Sequence, residues 1–205
     1  MRGKYIIFES GEGGGKSTHA KLCVDYLNQN GINTVYSREP GSVAEAEKIR
    51  NVILDKENDL SSLTELYLFE AARAEFFRKV VLPNLENGIS MVSDRSMYSS
   101  EAYQGYAGGV DLGLIKMLNE KSTFGIKPDL VVLINVNAEK GLAKETDSDR
   151  ISDKGLNYHE KVNLGYLQIA KENPEIFKVI PYIENGLKEM KKMYFPKINE
   201  LFGIF

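Results

Sequence analysis

Apolar residues gather in five short runs along the chain: Tyr5–Phe8, Ile32–Tyr36, Ile89–Val92, Leu130–Val136 and Phe177–Ile180. Each has strand length, and Tyr5–Phe8 and Leu130–Ile134 are apolar without interruption. Between them the apolar spacing changes to three and four, the period of a helix. A first helix is predicted from near Lys16 to Asn30-Gly31, where glycine supplies a stop. Ala46, Ile49 and Ile53 mark a second, and Thr64–Leu85 a long third, bent or broken around Pro83. Further helices are expected over Ser100–Tyr106, Leu112–Lys121, Asn157–Lys171 and Glu184–Leu201. Strands alternating with helices predict an α/β fold: a parallel sheet flanked by helices on both faces. No repeat, low-complexity tract or linker divides the sequence, so residues 1–205 are expected to form one domain. The stretch Lys144–Gly155 is nearly devoid of apolar residues, which predicts a mobile lid at approximately 144–156.

The first run leads into Ser10-Gly11-Glu12-Gly13-Gly14-Gly15-Lys16-Ser17-Thr18, between a predicted strand and a predicted helix. That is the setting of a phosphate-binding loop. Glycines let several backbone N–H groups converge on one anion, at φ values other residues avoid. Lys16 would reach the outer phosphates, Ser17 would hold Mg²⁺, and the helix N-terminus would favour the negative charge.

Two later strand ends carry charge. Asp94-Arg95 follows the third run, at the carboxyl edge where parallel sheets collect ligands. Asp94 can face the glycine loop and hold the water shell of Mg²⁺, and Arg95 can fork onto a phosphate. Arg38-Glu39-Pro40-Gly41 follows the second run, its turn residues presenting Arg38 at the same edge. Phe69 and Arg73 lie four apart on one helical face, an aromatic plate and a cation suited to a nucleoside monophosphate. Spacing alone also allows Phe69 to join Leu66 and Phe76 in a core stripe.

A net charge of −3 argues against a nucleic-acid polymer as partner, while leaving room for a local basic pocket. No apolar run approaches the ~20 residues of a membrane span, and Met1-Arg2-Gly3-Lys4 passes directly into the first strand, with no signal-peptide core expected. Cys23 is the single cysteine, which excludes an intrachain disulfide and makes the cytoplasm the default compartment. Its neighbours Ala20, Val24 and Leu27 mark it as a small buried residue. His19 and His159 read as helix-surface residues, as do Lys188, Lys191 and Lys192.

Several blocks together resemble the thymidylate kinase family: Phe8-Glu9 before the glycine loop, Arg38-Glu39-Pro40-Gly41, Thr64–Arg73, and Asp94-Arg95 followed by Ser99–Gly105. They stand in the family's order and span residues 5 to about 170. The resemblance implies a P-loop kinase fold with a five-stranded parallel sheet, Mg²⁺-dependent phosphorylation of dTMP to dTDP by ATP, and commonly a homodimer. It further implies that Phe69 stacks on thymine, Arg73 binds base and acceptor phosphate, and Arg38 and Arg95 grip that phosphate. Tyr103 would exclude a 2′-hydroxyl, Ser99, Ser100 and Gln104 would border the base, and Glu12 would contact the acceptor sugar or metal-bound water. Ser10, Ser42 and Ser96 depart from the family pattern, standing for two glycines and an aromatic. Gly13 stands where one subgroup has a basic residue in the loop. The lid offers Lys144 and Arg150 among Asp147, Asp149 and Asp153, and Arg150 is the candidate cation for the transferring phosphoryl group. The Ile180-Pro181-Tyr182 stretch, near the adenine contact, is also unusual.

Two other readings share the glycine loop. A nucleotide-dependent switch would need the Asn-Lys-x-Asp and Asp-x-x-Gly motifs, both missing from the sequence. A kinase for another monophosphate, such as dUMP, UMP or dCMP, would use the same architecture.

Overall fold

The computed structural model describes residues 2–144 and 148–204. Five parallel strands form one sheet: β1 (Tyr5–Ser10), β2 (Thr34–Arg38), β3 (Ser90–Asp94), β4 (Leu130–Asn135) and β5 (Phe177–Pro181). Their order is β2-β3-β1-β4-β5, with β1 in the centre. Every residue of β1 is buried, and its alternating side chains divide the core. Tyr5 and Ile7 join Met91, Val131 and Leu133 on one face. Ile6 and Phe8 join Val92, Val132 and Ile134 on the other.

The first face is covered by α3 (Ser62–Phe76), α8 (Leu156–Glu172) and a wide-turn segment, Glu101–Ala107, that continues α5 (Met97–Ser100). The second is covered by α1 (Lys16–Gln29) and α9 (Leu187–Phe202). The remaining helices are α2 (Ala44–Leu54), α4 (Leu82–Glu86), α6 (Leu112–Ser122) and α7 (Ala138–Leu142). Pro83 does not break the long third helix. Its turns widen to π geometry over Phe77–Val81, and α4 follows without interruption.

Cys23 is buried as expected, and burial pushes its thiol pKa up. The two histidines are not on the surface. His19 lies between Phe8 and α9, its Nδ1 2.9 Å from the Tyr194 hydroxyl. Burial, aided by Lys191, lowers its pKa to about 4, so it is neutral near pH 7. His159 packs its ring against Tyr103 and Tyr158, with Nε2 3.2 Å from the Ser152 carbonyl. In both cases a covering ring comes from a separate element, Tyr194 of α9 for His19 and Tyr103 of the wide-turn segment for His159, which periodicity cannot reveal.

The predicted lid is also more anchored than its composition suggests. Asp147 falls outside the described residues, but Ile151 is buried and joins the core beside Val162 and Tyr166. Asp149 accepts from the N–H groups of Ile151 and Ser152, closing a tight turn.

Gly165 marks the closest approach of α8 to the wide-turn segment. A Cβ there would stand 2.7 Å from Cβ of Tyr106. Gly165→Ala gains about 1 kcal/mol of helix propensity but overpacks this contact at a cost of about 1–3 kcal/mol. The expected net result is a Tm lower by a few degrees in calorimetry; a raised Tm would contradict this packing.

Candidate active site

The carboxyl ends of β1, β2 and β3 open into one cleft of about 620 Å³. The turn after β1 is built as a phosphate cradle. Gly13 has φ +63°, and a Cβ on it would fall 2.1 Å from the Gly141 carbonyl oxygen of α7. Gly15 has φ +79° and starts α1 with neither a side-chain cap nor an acid in the first turn. The first N–H groups of α1 are thus left for an anion. Lys16 is buried, with Nζ 3.0 Å from the Gly11 carbonyl. Burial, then the nearby Arg95 charge, depresses its pKa, against the opposing pull of Glu12 and Asp94. The Ser10 hydroxyl donates to the Gly11 carbonyl at 2.6 Å, within the loop's own turn.

Ser17 donates directly to the Asp94 carboxylate, and the Tyr36 hydroxyl approaches the same oxygen at 3.5 Å. Burial and Asp94 together raise the Tyr36 pKa to about 12. Arg95, at φ +68°, takes a left-handed backbone that costs a side-chain-bearing residue about 1–2 kcal/mol. Its guanidinium donates to both oxygens of Glu12 (2.9 and 3.0 Å), to the Ser10 carbonyl (3.2 Å) and to the hydroxyls of Tyr103 (3.0 Å) and Tyr166 (3.2 Å). Burial alone would push the Glu12 pKa up, but Arg95, Lys16 and the Tyr103 hydroxyl outweigh it and bring the pKa down to about 2.

Arg73 is buried between Glu39 (2.7 Å) and Glu70, and it also donates to Asn119 (2.9 Å) and Ser100 (3.1 Å). Phe69, one turn earlier, is half-buried: it packs on the core and lines the cleft, so plate and core stripe are both true of it. Ser99 donates to buried Glu9 at 2.8 Å, and Gln104 to buried Glu65 at 3.0 Å. Arg38 is exposed at the rim, paired with Glu47 at 3.0 Å.

The three serines that depart from the family pattern each find a partner. Ser96 is fully buried, donates to Glu39 at 2.6 Å and accepts from Tyr5 at 3.1 Å. Ser42 takes φ +68°, where glycine would be unstrained, and exchanges hydrogen bonds with the Arg38 backbone.

The cleft is lined by Glu12–Thr18, Arg38, Phe69, Arg73, Asp94, Arg95, Ser99, Ser100, Tyr103 and Gln104, with Gly11 adjoining through its contact to Lys16. Arg150 is the exception. Its guanidinium donates to Glu65 (2.7 Å) and to the Ile53 carbonyl (2.8 Å), so it anchors the lid to α2 and α3 and does not line the cleft. Sequence reasoning missed Arg50, which does line it and donates to the Pro40 carbonyl at 3.1 Å. The available signal was its spacing: Arg50 lies four after Ala46 and three before Ile53, a cation on an otherwise apolar stripe. Among the described residues, six cationic side chains line the cleft against four carboxylates, a local excess of positive charge on an acidic chain.

A parallel sheet with its glycine cradle on the central strand, opening toward cationic side chains, defines a P-loop nucleotide-binding protein of α/β class. The chain matches the family described as thymidylate kinase over residues 8–193. It is 36% identical over 196 residues to the thymidylate kinase of Thermoanaerobacter sp. (strain X514), covering 95% of each chain. With that of Desulfosudis oleivorans it shares 39% identity over 187 residues, 86% of this chain and 87% of the relative. The crystal structure of thymidylate kinase from Ehrlichia chaffeensis superposes with a TM-score of 0.78 at 31% identity, covering 98% of this chain and 99% of that one. The chain belongs to the thymidylate kinase family.

The Glu12–Arg95 pair has a pH signature. The Glu12 carboxyl has a pKa of about 2 when folded against an ordinary 4.5, so its stabilisation is complete above about 4.5 and fades as pH falls toward 2. Glu12→Gln should therefore destabilise the protein at pH 6 by more than at pH 3 in urea titrations. An equal loss at both pH values would contradict the pairing.

Proposed function

We propose that the protein transfers the γ-phosphoryl group of ATP to dTMP, giving ADP and dTDP. The observation that carries this reading is the single cleft holding both the Lys16 cradle and the Phe69–Arg73–Arg95 wall. The cradle N–H groups and Lys16 hold the donor phosphates. Arg95 and Arg38, with Arg50 beside them, hold the acceptor phosphate, and Phe69 stacks on the base. Tyr103, almost fully buried and hydrogen-bonded to Glu12 at 2.6 Å, gives the sugar a rigid neighbour, which supports the preference for deoxyribose.

Phosphoryl transfer proceeds in line through a loose transition state, so these residues act by positioning and by neutralising charge. A phosphate monoester loses its second proton near pH 6, so the acceptor is already an anionic nucleophile at neutral pH and no general base is needed. The burial of His19 and His159 away from the cleft lining accords with that. Ser17 and Asp94 fit Mg²⁺: a hydroxyl and a carboxylate already in contact are hard oxygen donors of the kind this ion takes beside phosphate oxygens and water. When bound, the ion neutralises phosphate charge. The lid, hinged on the Arg150–Glu65 contact in place of a direct Arg150 contact with phosphate, would keep water from the cleft.

We also propose a homodimer. Val52, Leu63, Tyr67 and Met117 are exposed apolar side chains on the neighbouring helices α2, α3 and α6, and Tyr67 is 53% exposed. No helix among the described residues is long and apolar enough to cross a membrane; with the single buried Cys23 this supports a cytoplasmic setting. Light scattering should give twice the chain mass for the wild type and the monomer mass for Tyr67→Glu, and a monomeric wild type would refute the pairing.

A coupled assay for ADP release with ATP, Mg²⁺ and a panel of monophosphates tests the reaction. The highest kcat/KM should fall on dTMP; preference for dCMP or UMP, or no acceptor-dependent turnover, would overturn the reading. Arg38→Ala should raise the KM for dTMP about tenfold or more, the worth of a charge-assisted contact, with Tm nearly unchanged because its Glu47 pair is exposed. An unaltered KM would remove Arg38 from the acceptor site.

A further inference from the structure

Glu65 is fully buried on α3, yet it is neither a lining residue of the cleft nor part of the phosphate machinery. Its two oxygens are divided between two tasks. Oε1 accepts from Arg150 (2.7 Å) and Lys154 (2.6 Å), both from the lid. Oε2 accepts from the side-chain amide nitrogen of Gln104 at 3.0 Å. Gln104 is itself buried, and it lines the cleft beside Ser100 and Tyr103. We propose that Glu65 is a positioning residue that fixes which way the Gln104 amide faces, and so selects pyrimidines that carry an N3–H.

A carboxylate accepts hydrogen bonds and donates none, so it can hold Gln104 only by the NH₂ end. The carbonyl oxygen of the same planar amide is then turned away from Glu65. A base edge meeting that oxygen must donate. Thymine and uracil present N3–H there, whereas cytosine presents N3 as an acceptor and would leave two acceptors opposed. An unmatched pair of buried polar groups is costly, which is how a site built for one hydrogen-bond pattern rejects its reverse. The lid cations matter because they fill Oε1 and leave Oε2 to Gln104. Lid docking and base selection therefore share one carboxylate.

This inference rests on the thymidylate reading, and the two fail differently. The wild-type monophosphate panel tests that reading before any variant is made. Glu65→Gln then tests the inference: glutamine can donate to the Gln104 carbonyl oxygen and let the amide turn over. The ratio of kcat/KM for dTMP to that for dCMP should fall about tenfold or more, chiefly through a raised KM for dTMP. Glu65→Asp, which still only accepts, should restore much of that ratio. Equal losses on both substrates, or an unchanged ratio, would show a merely structural role and overturn the proposal. Should Glu65→Gln fail to fold, wild-type protein answers by calorimetric binding. 3-Methylthymidine monophosphate, which lacks N3–H, should bind about tenfold or more weakly than dTMP. Equal affinity would overturn the assigned amide orientation.

Discussion

The contact between Arg95 and Glu12 is the constraint around which the cleft is organised. Arg95 directly follows β3 and Glu12 sits in the glycine loop after β1, so their two-pronged pairing ties the phosphate cradle to the neighbouring strand. Tyr103 and Tyr166 add the wide-turn segment and α8 to the same guanidinium. The left-handed backbone at Arg95 is the local cost of aiming it there. One side chain thus fixes the glycine loop against the end of the neighbouring strand.

A second layer of buried charge supports the first. Glu9 and Glu39 are fully or almost fully buried, and desolvation raises the pKa of each despite the opposing Arg95 and Arg73. Such groups are tolerated because each carboxylate is met by an arginine, serine or tyrosine, and removing one partner would strand the other. The network holds Arg73, Ser99 and Ser100 in fixed places and leaves cationic side chains lining the cleft. This is how a chain with net charge −3 gathers cationic side chains around one cleft.

Much of this was legible in the sequence, for identifiable reasons. All five strands were placed, with edges off by one or two residues: β1 and β4 stand out as nearly uninterrupted apolar runs, while the edge strands β2 and β5, only partly buried, were betrayed by shorter apolar stretches broken by polar residues. β3 runs on to Asp94 because Ser93 and Asp94, though polar, are buried in the strand. The glycine loop was legible because its geometry demands those residues in that order. What was hidden depends on long-range partners. His19 meets Tyr194, and Arg150 meets Glu65, across 175 and 85 residues of chain. The short helix α7 was missed because five residues carry no periodic signal, although its Gly141 closes against the glycine loop.

The central claim is that donor and acceptor phosphates meet end to end in one continuous site. Calorimetric titration with adenosine and thymidine joined through five phosphates tests it most directly, because a single linked ligand gains the effective concentration of two. The account predicts binding at least about a hundredfold tighter than ATP or dTMP alone, at one ligand per chain. Affinity no better than that of ATP would mean that the two halves of the cleft are not one site.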